Sequence, residues 1–310
     1  MKILMISLAM IALLADVSAA GALEDKKWIH GSEDCDSNRD PAVEVFQFDA
    51  ATYVLRQNKC VHFEAPFIYV LFGEHTVFVQ DTGATEEPER FPVYEVVQKL
   101  IAQKGGSPAG AALRILVTHS HSHGDHTTGD VQFRGKPGVT LIEPTAEAVR
   151  GRFGFTEWPT GMSKLDLGGR ELLVLPAPGH QDESVVVYDP RTQWMLTGDT
   201  VLPGQLYVRD WDTYRTTIGR LVEFSKTHPI SALMGTHIEM SSKGVIYPRG
   251  STFQPEEIAL PLTVQDLMQL DESLRKAGSE PTDITMGKFV VVPISAFQRA
   301  IGDFLKWIAG

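Results

Sequence analysis

Between Thr118 and His126 the chain reads Thr-His-Ser-His-Ser-His-Gly-Asp-His, which places four histidines and an aspartate in the eight positions 119 to 126, directly after the apolar run Leu113 to Val117. So many titratable groups in so short a stretch are hard to explain as packing. They require a fold that carries them out of a strand and gives them something to bind. Side chains two apart in an extended stretch point the same way, so His121 and His123 can reach one ion. Asp125 and His126 are adjacent. If the chain turns into a helix there, they are aimed away from the first pair and suit a second ion. Gly124 lets the backbone turn tightly between the two sets.

The surrounding sequence alternates strand and helix patterns. Val43 to Asp49 and Thr52 to Arg56 alternate apolar and polar residues as half-buried strands do, while Phe67 to Gly73 and Thr76 to Gln80 are nearly continuous apolar runs suited to buried strands. Pro92 to Gln103 carries Val93, Val96, Val97, Leu100 and Ile101 at helical spacing, and the strand Leu113 to Val117 follows. Further strands are expected near Val139 to Ile142, Lys164 to Leu167, Glu171 to Leu175, Ser184 to Tyr188, Gln193 to Leu196 and Ser231 to Met234. Asp189 to Thr192 reads as a hairpin turn. Helices are expected near Thr145 to Arg152, Asp210 to Thr227, Val264 to Lys276 and Ile294 to Ile308. Strands in both halves with helices between and after them predict an α/β chain of two sheets covered by helices on their outer faces. No repeat or low-complexity segment interrupts it.

The N-terminus has Lys2, an apolar run from Ile3 to Leu14 and small residues at Val17-Ser18-Ala19-Ala20, the pattern of a cleaved secretory signal over residues 1 to 20. Twelve apolar residues would rise only about 18 Å as a helix, short of a hydrocarbon core of roughly 30 Å. The expectation is therefore export, with a bacterial periplasm as first choice, and no membrane span in the mature protein. A net charge of −11 without a basic run argues against nucleic acid and for a small-molecule substrate. Cys35 and Cys60 are the only cysteines and stand 25 positions apart; an oxidising compartment would allow one disulfide, and two free thiols fit the sequence equally well.

The segment His121-x-His123-x-Asp125-His126 resembles the signature of the metallo-β-lactamase superfamily. The rest of that pattern follows in order over about residues 67 to 240: Asp81 in Gln80-Asp81-Thr82-Gly83, Pro178-Gly179-His180, Gly198-Asp199-Thr200 and Gly235-Thr236-His237. The resemblance implies an αββα sandwich over residues 21 to 263, two mixed sheets face to face, with a C-terminal helical extension over 264 to 310 packed on the same domain. It also implies that His121, His123 and His180 hold one metal, that Asp125, His126 and His237 hold a second, and that Asp199 bridges them. Asp81 would support a ligand loop, and His119 reads as a strand-end or supporting group. Two zinc ions are the implied cofactors, with iron or manganese the alternative at one or both positions.

Three protein ligands per ion plus a shared carboxylate leave coordination positions for a bridging hydroxide and a substrate, so the site is expected to be catalytic. Asp125 could also orient the nucleophile or accept its proton. The superfamily shares a fold and not a substrate. A bridging Asp199 resembles the glyoxalase II-like thioesterases, lactonases and phosphodiesterases more than the true β-lactamases. The expected activity is hydrolysis of a small ester, thioester or lactone; the alternatives are a β-lactamase, a mononuclear iron oxidoreductase resembling the persulfide dioxygenases, and a non-enzymatic metal-binding protein. Pocket walls are expected from loops around residues 150 to 165, 200 to 212 and 238 to 256, with Met240 to Phe253 as a flap. Tyr207 and Trp211 read as core rather than pocket, and His30, His62, His75 and His228 as surface or core histidines. Oligomeric state has no signature in the sequence.

Overall fold

Strand β3 (Phe67–Phe72) is buried along its whole length, and its alternate residues enter two different cores: Phe67, Tyr69 and Leu71 one, Ile68, Val70 and Phe72 the other. This is what a sheet covered on both faces demands of its central strands. In the computed structural model, which describes residues 23–105 and 112–295, β3 lies inside a six-stranded sheet. The sheet's order is β1 (Val43–Asp49), β2 (Thr52–Gln57), β3, β4 (Thr76–Gln80), β5 (Arg114–Thr118) and β6 (Val139–Leu141). The first four strands pair antiparallel; β4, β5 and β6 pair parallel.

A second six-stranded sheet runs in the order β13 (Pro261–Leu262), β12 (Ala232–Gly235), β10 (Trp194–Gly198), β9 (Val185–Asp189), β8 (Glu171–Pro176) and β7 (Ser163–Asp166). It is also mixed, because β10 and β12 are parallel while the other neighbours are antiparallel. The two sheets face each other through Phe67, Tyr69, Leu71, Phe78 and Leu116 on one side and Leu172, Val174, Val187, Leu196 and Met234 on the other. Fully burying each such side chain contributes about 1.5–3 kcal/mol. One buried cation also crosses the interface. The Arg170 guanidinium donates to Asp189 in the second sheet and to the Ala51 carbonyl and Thr52 hydroxyl in the first.

Helices close the outer faces. Helix α1 (Val93–Gln103) packs Val93, Val97 and Leu100 on the far side of the first sheet. After the short α2 (Gly124–Thr127) and α3 (Ala146–Phe153), helices α4 (Trp211–Ser225) and α5 (Val264–Ala277) cover the far side of the second. Asp210 caps α4, and a capping box between Thr263 and Asp266 starts α5. The αββα order expected from the sequence is the order found.

The C-terminal segment departs from the helical extension expected over 264 to 310. After α5, strands β14 (Ile284–Met286) and β15 (Phe289–Pro293) form a third sheet with β11 (Gly204–Val208), in a stretch expected to be pocket loop. The run Phe289-Val290-Val291-Val292 is rich in strand formers, but its partner lies some eighty positions earlier; Leu206↔Val291 is one register pair. The helix expected over Ile294 to Ile308 and the signal segment at residues 1 to 20 lie almost wholly outside the described residues. No helix among the described residues is long and apolar enough to cross a membrane.

Candidate metal centre

The strands β4, β5, β8, β10 and β12 deliver the five sequence motifs to one edge of the sandwich, each from the end of its strand. Asp81 follows β4, His119 to His123 follow β5, His180 follows β8, Asp199 follows β10 and His237 follows β12. Two motif glycines permit this convergence. A Cβ on Gly198 (φ 54°) would stand 2.5 Å from the Ser120 Cβ, and one on Gly179 (φ 134°) 2.5 Å from the Tyr214 Cα, so any other residue would push the Asp199 loop off the loop after β5 or the His180 loop off helix α4.

Two groups of candidate ligands result, one of His121, His123, His180 and Asp199, the other of Asp125, His126, His237 and Asp199. In the first, Nε2 of His121, Nδ1 of His123 and Nε2 of His180 form a triangle with sides of 2.9, 3.1 and 3.2 Å. In the second, the Asp125 Oδ2 is 3.0 Å from Nε2 of both His126 and His237, and those two nitrogens are 3.4 Å apart. Asp199 belongs to both: its Oδ2 lies 3.8 Å from His121 and His180 and 3.6 Å from His126, and its Oδ1 3.5 Å from His237.

These donors fit divalent metal. Tetrahedral ligands about 2.0–2.1 Å from zinc are themselves separated by roughly 3.3 Å, close to the spacings observed. The ring nitrogens facing away from the groups are occupied as a metal site requires. Nδ1 of His180 donates to the Tyr207 carbonyl at 2.8 Å and Nδ1 of His237 to the Glu64 carbonyl at 3.0 Å, which leaves Nε2 of each as the free lone pair. His126 Nδ1 lies 3.0 Å from the Asp81 carboxylate, His121 Nδ1 3.1 Å from the Ser120 hydroxyl, and His123 Nε2 2.7 Å from the Gln181 amide.

The electrostatics divide the two groups. Burial, reinforced by the neighbouring imidazoles, holds His121 well below the usual histidine range and His123 at about 3, and burial also lowers His180. All three are neutral at pH 7. For His126 and His237 burial acts the same way, but the Asp125 and Asp199 carboxylates outweigh it, raising His126 well above its ordinary value and His237 to about 9. Burial likewise opposes ionisation of Asp125 and Asp199, and the adjacent histidines overcome it.

Asp81 is fully buried at φ 69°. It accepts from the Ser120 backbone N–H at 2.7 Å and from the Ser120 hydroxyl at 3.0 Å, besides facing His126, so it braces the loop from behind. His119 points elsewhere: its Nε2 pairs with Asp130 at 2.8 Å, and Thr82 donates to the same carboxylate oxygen. It joins neither candidate group.

A cavity of about 360 Å³ opens over His123, Asp125, His180, Asp199 and His237. Its walls correct the sequence reading. Nothing from residues 150 to 165 lines it; the β2–β3 loop does, through Lys59, Phe63 and Glu64. That loop has no motif, and only Cys60 within it hinted at a fixed structure. Gln205 and Tyr207 line the cavity as well, while Trp211 is core, its indole N–H donating to the Gly278 carbonyl. The Tyr247–Ser251 part of the expected flap contributes a wall. Cys35 and Cys60 are disulfide-bonded, which resolves the alternative the sequence left open.

A fold of two facing mixed sheets with paired histidine and aspartate groups at one edge defines a class of metal-site proteins, and a family model identifies it: the metallo-beta-lactamase superfamily model matches residues 63–284, and the chain belongs to that superfamily. Among curated proteins it is 24% identical over 144 residues to a hydroxyacylglutathione hydrolase of Rhizobium meliloti (strain 1021), covering 46% of this chain and 52% of that one. A hydroxyacylglutathione hydrolase of Synechococcus sp. (strain JA-3-3Ab) is 25% identical over 247 residues, covering 78% and 84%. So the chain spans about half the length of the first relative and most of the second. Among solved structures, a metallo-beta-lactamase from Pontibacter korlensis matches at 20% identity and a TM-score of 0.45, over 63% of this chain and 91% of that one.

Proposed function

We propose that this chain is an exported hydrolase that carries two zinc ions and cleaves a small ester, thioester or lactone. The observation that carries the reading is the position of Asp199, shared between the two candidate ligand groups. His121, His123 and His180 would hold one ion and Asp125, His126 and His237 the other. When bound, such ions supply Lewis-acid polarisation and hydroxide at neutral pH.

The chain's own groups do the positioning. Asp125 and Asp199 both face the cavity, and in this reading Asp125 would orient an attacking water or accept its proton. Glu64 lies against Asp125; burial, with that carboxylate beside it, raises Glu64 to about 7. Thr236 donates to Asp199 and fixes its rotamer. The cavity's 360 Å³ suits a small molecule. The relatives' name denotes hydrolysis of an acyl-glutathione thioester, which supports the substrate class. Export is supported by the leader-like residues 1 to 20 and by the Cys35–Cys60 disulfide, a bond of oxidising compartments.

The test is elemental analysis of the purified protein beside rates on a lactone, a thioester, a chromogenic cephalosporin and bis-nitrophenyl phosphate. Near two equivalents of zinc with turnover of the lactone or thioester is the expected result. One equivalent of iron without hydrolysis would overturn it, and turnover of the cephalosporin alone would redirect it to a β-lactamase.

A further inference from the structure

Two cations line the cavity without an ion pair among the described residues. Lys59 is 3% exposed, and its ammonium donates to the Phe63 carbonyl at 3.0 Å; among the described residues it makes no ion pair. An ammonium has three N–H donors, and the Phe63 carbonyl engages one of them. Burial, with Arg56 beside it, brings this ammonium down to about 8, while the Glu257, Glu239 and Glu64 carboxylates favour its charge. The nearby Arg56 is not in the same position, because Glu257 engages it with two hydrogen bonds of 2.5 Å. Arg249, on the Tyr247–Ser251 wall, is exposed and also makes no ion pair among the described residues.

Lys59 is held in place from several sides. The preceding Asn58 side chain accepts from the Cys60 N–H at 2.8 Å and donates to Asn38 at 2.9 Å, and Cys60 is bonded to Cys35. Gly31 presses on it, since a Cβ there would stand 2.8 Å from the Lys59 Cβ. The segment that contains Gly31 is in turn paired with the strap behind Arg249: the Ser32 N–H donates to the Thr252 carbonyl at 3.0 Å, and the Gln254 N–H to the His30 carbonyl at 2.9 Å. The N-terminal segment thus ties the Lys59 loop and the strap bearing Arg249 to each other, which preorganises both for a ligand.

We propose that Lys59 and Arg249 form a clamp for a carboxylate on the substrate, remote from the bond that is cleaved. A monoanion fits better than a phosphate dianion. Glu64 and Glu239 line the same cavity, and Glu239 is fixed there by the Gln205 N–H at 2.8 Å, so these two carboxylates match the two cations in formal charge and leave no surplus to hold a dianion. The clamp refines the substrate class of the proposed hydrolase: an ester, thioester or lactone that carries a free carboxylate.

The test reads binding rather than turnover, so that it stands apart from the hydrolase reading. Zinc-loaded protein is titrated calorimetrically with a series of mercaptocarboxylic acids of increasing length and with their methyl esters, the thiol serving as the common anchor at the metal centre. The wild type is expected to bind one length of acid at least tenfold more tightly than its ester. Lys59→Met should abolish most of that preference and Arg249→Met should reduce it severalfold, with affinity for the esters unchanged in both. Arg249 is exposed, so its variant reports even if Lys59→Met does not fold. The proposal is overturned if the wild type shows no preference at any length, or if the preference survives in the variants. A preserved preference in a protein that hydrolyses nothing would sink the hydrolase reading and leave the clamp standing.

Discussion

The Asp81 carboxylate, at the end of β4, stands 3.0 Å from Nδ1 of His126, forty-five positions later in the chain, and turns that imidazole so that its Nε2 faces Asp125 and His237. Asp81 would touch no metal itself. Supporting groups of this kind are worth 10- to 100-fold in metal affinity, because they fix the tautomer and aim of the ligand. Asp81→Asn keeps the size of the side chain but sets an amide against the Ser120 N–H. Chelator competition should show zinc bound about 10- to 100-fold more weakly. Wild-type affinity in this variant would mean that His126 needs no brace.

Removal of Asp199 tests the shared position. Asp199→Ala should lower the zinc content towards one equivalent and reduce turnover by about two orders of magnitude or more, while circular dichroism shows an intact fold. Two full equivalents and undiminished turnover would show that the carboxylate does not bridge.

His119 and His121 are two residues apart, yet their fates should differ. Because His119 pairs with Asp130 away from the candidate ligands, His119→Ala should leave zinc content alone and cost about 1–3 kcal/mol of stability in denaturant titration, because the buried Asp130 carboxylate keeps the Thr82 hydroxyl and loses its imidazole partner. His121→Ala should lose metal. Equal metal loss in the two variants would place His119 at the metal.

The two metal positions should respond differently to pH. The Asp125 and Asp199 carboxylates overcome burial to raise His237 to about 9 and hold His126 well above its ordinary value, so at pH 7 both carry protons that an incoming ion must displace. Apparent affinity at that position should therefore rise with pH up to about 9 and fall on acidification. The position formed by His121, His123 and His180 has no such protons to lose at pH 7, since burial already keeps its histidines neutral. Calorimetry in buffers of differing ionisation enthalpy should find proton release on binding of one ion and little on binding of the other. Equal release from both would contradict this assignment.

The run from His119 to His126 determined much of this protein by itself. Its side chains are neighbours in sequence, so their joint role as ligands was legible there. Strand alternation was expected to divide His121 and His123 from Asp125 and His126, but β5 ends at Thr118, and the division is made by bends over residues 120 to 122 followed by a helix from Gly124. The β-strand and helix patterns likewise exposed the four layers, because each element's burial is written in its own periodicity. The motif order around Asp81, His180, Asp199 and His237 was legible only through the family resemblance, since no local rule says that four strand ends will meet. The tertiary structure alone decided what depends on distant partners. It paired β15 with β11 in a third sheet, turned His119 to Asp130, joined Cys35 to Cys60 and brought Lys59, Glu64 and Arg249 to one cavity. Those contacts form between segments whose own patterns are neutral about them, and only the packing of the whole chain selects which segments meet.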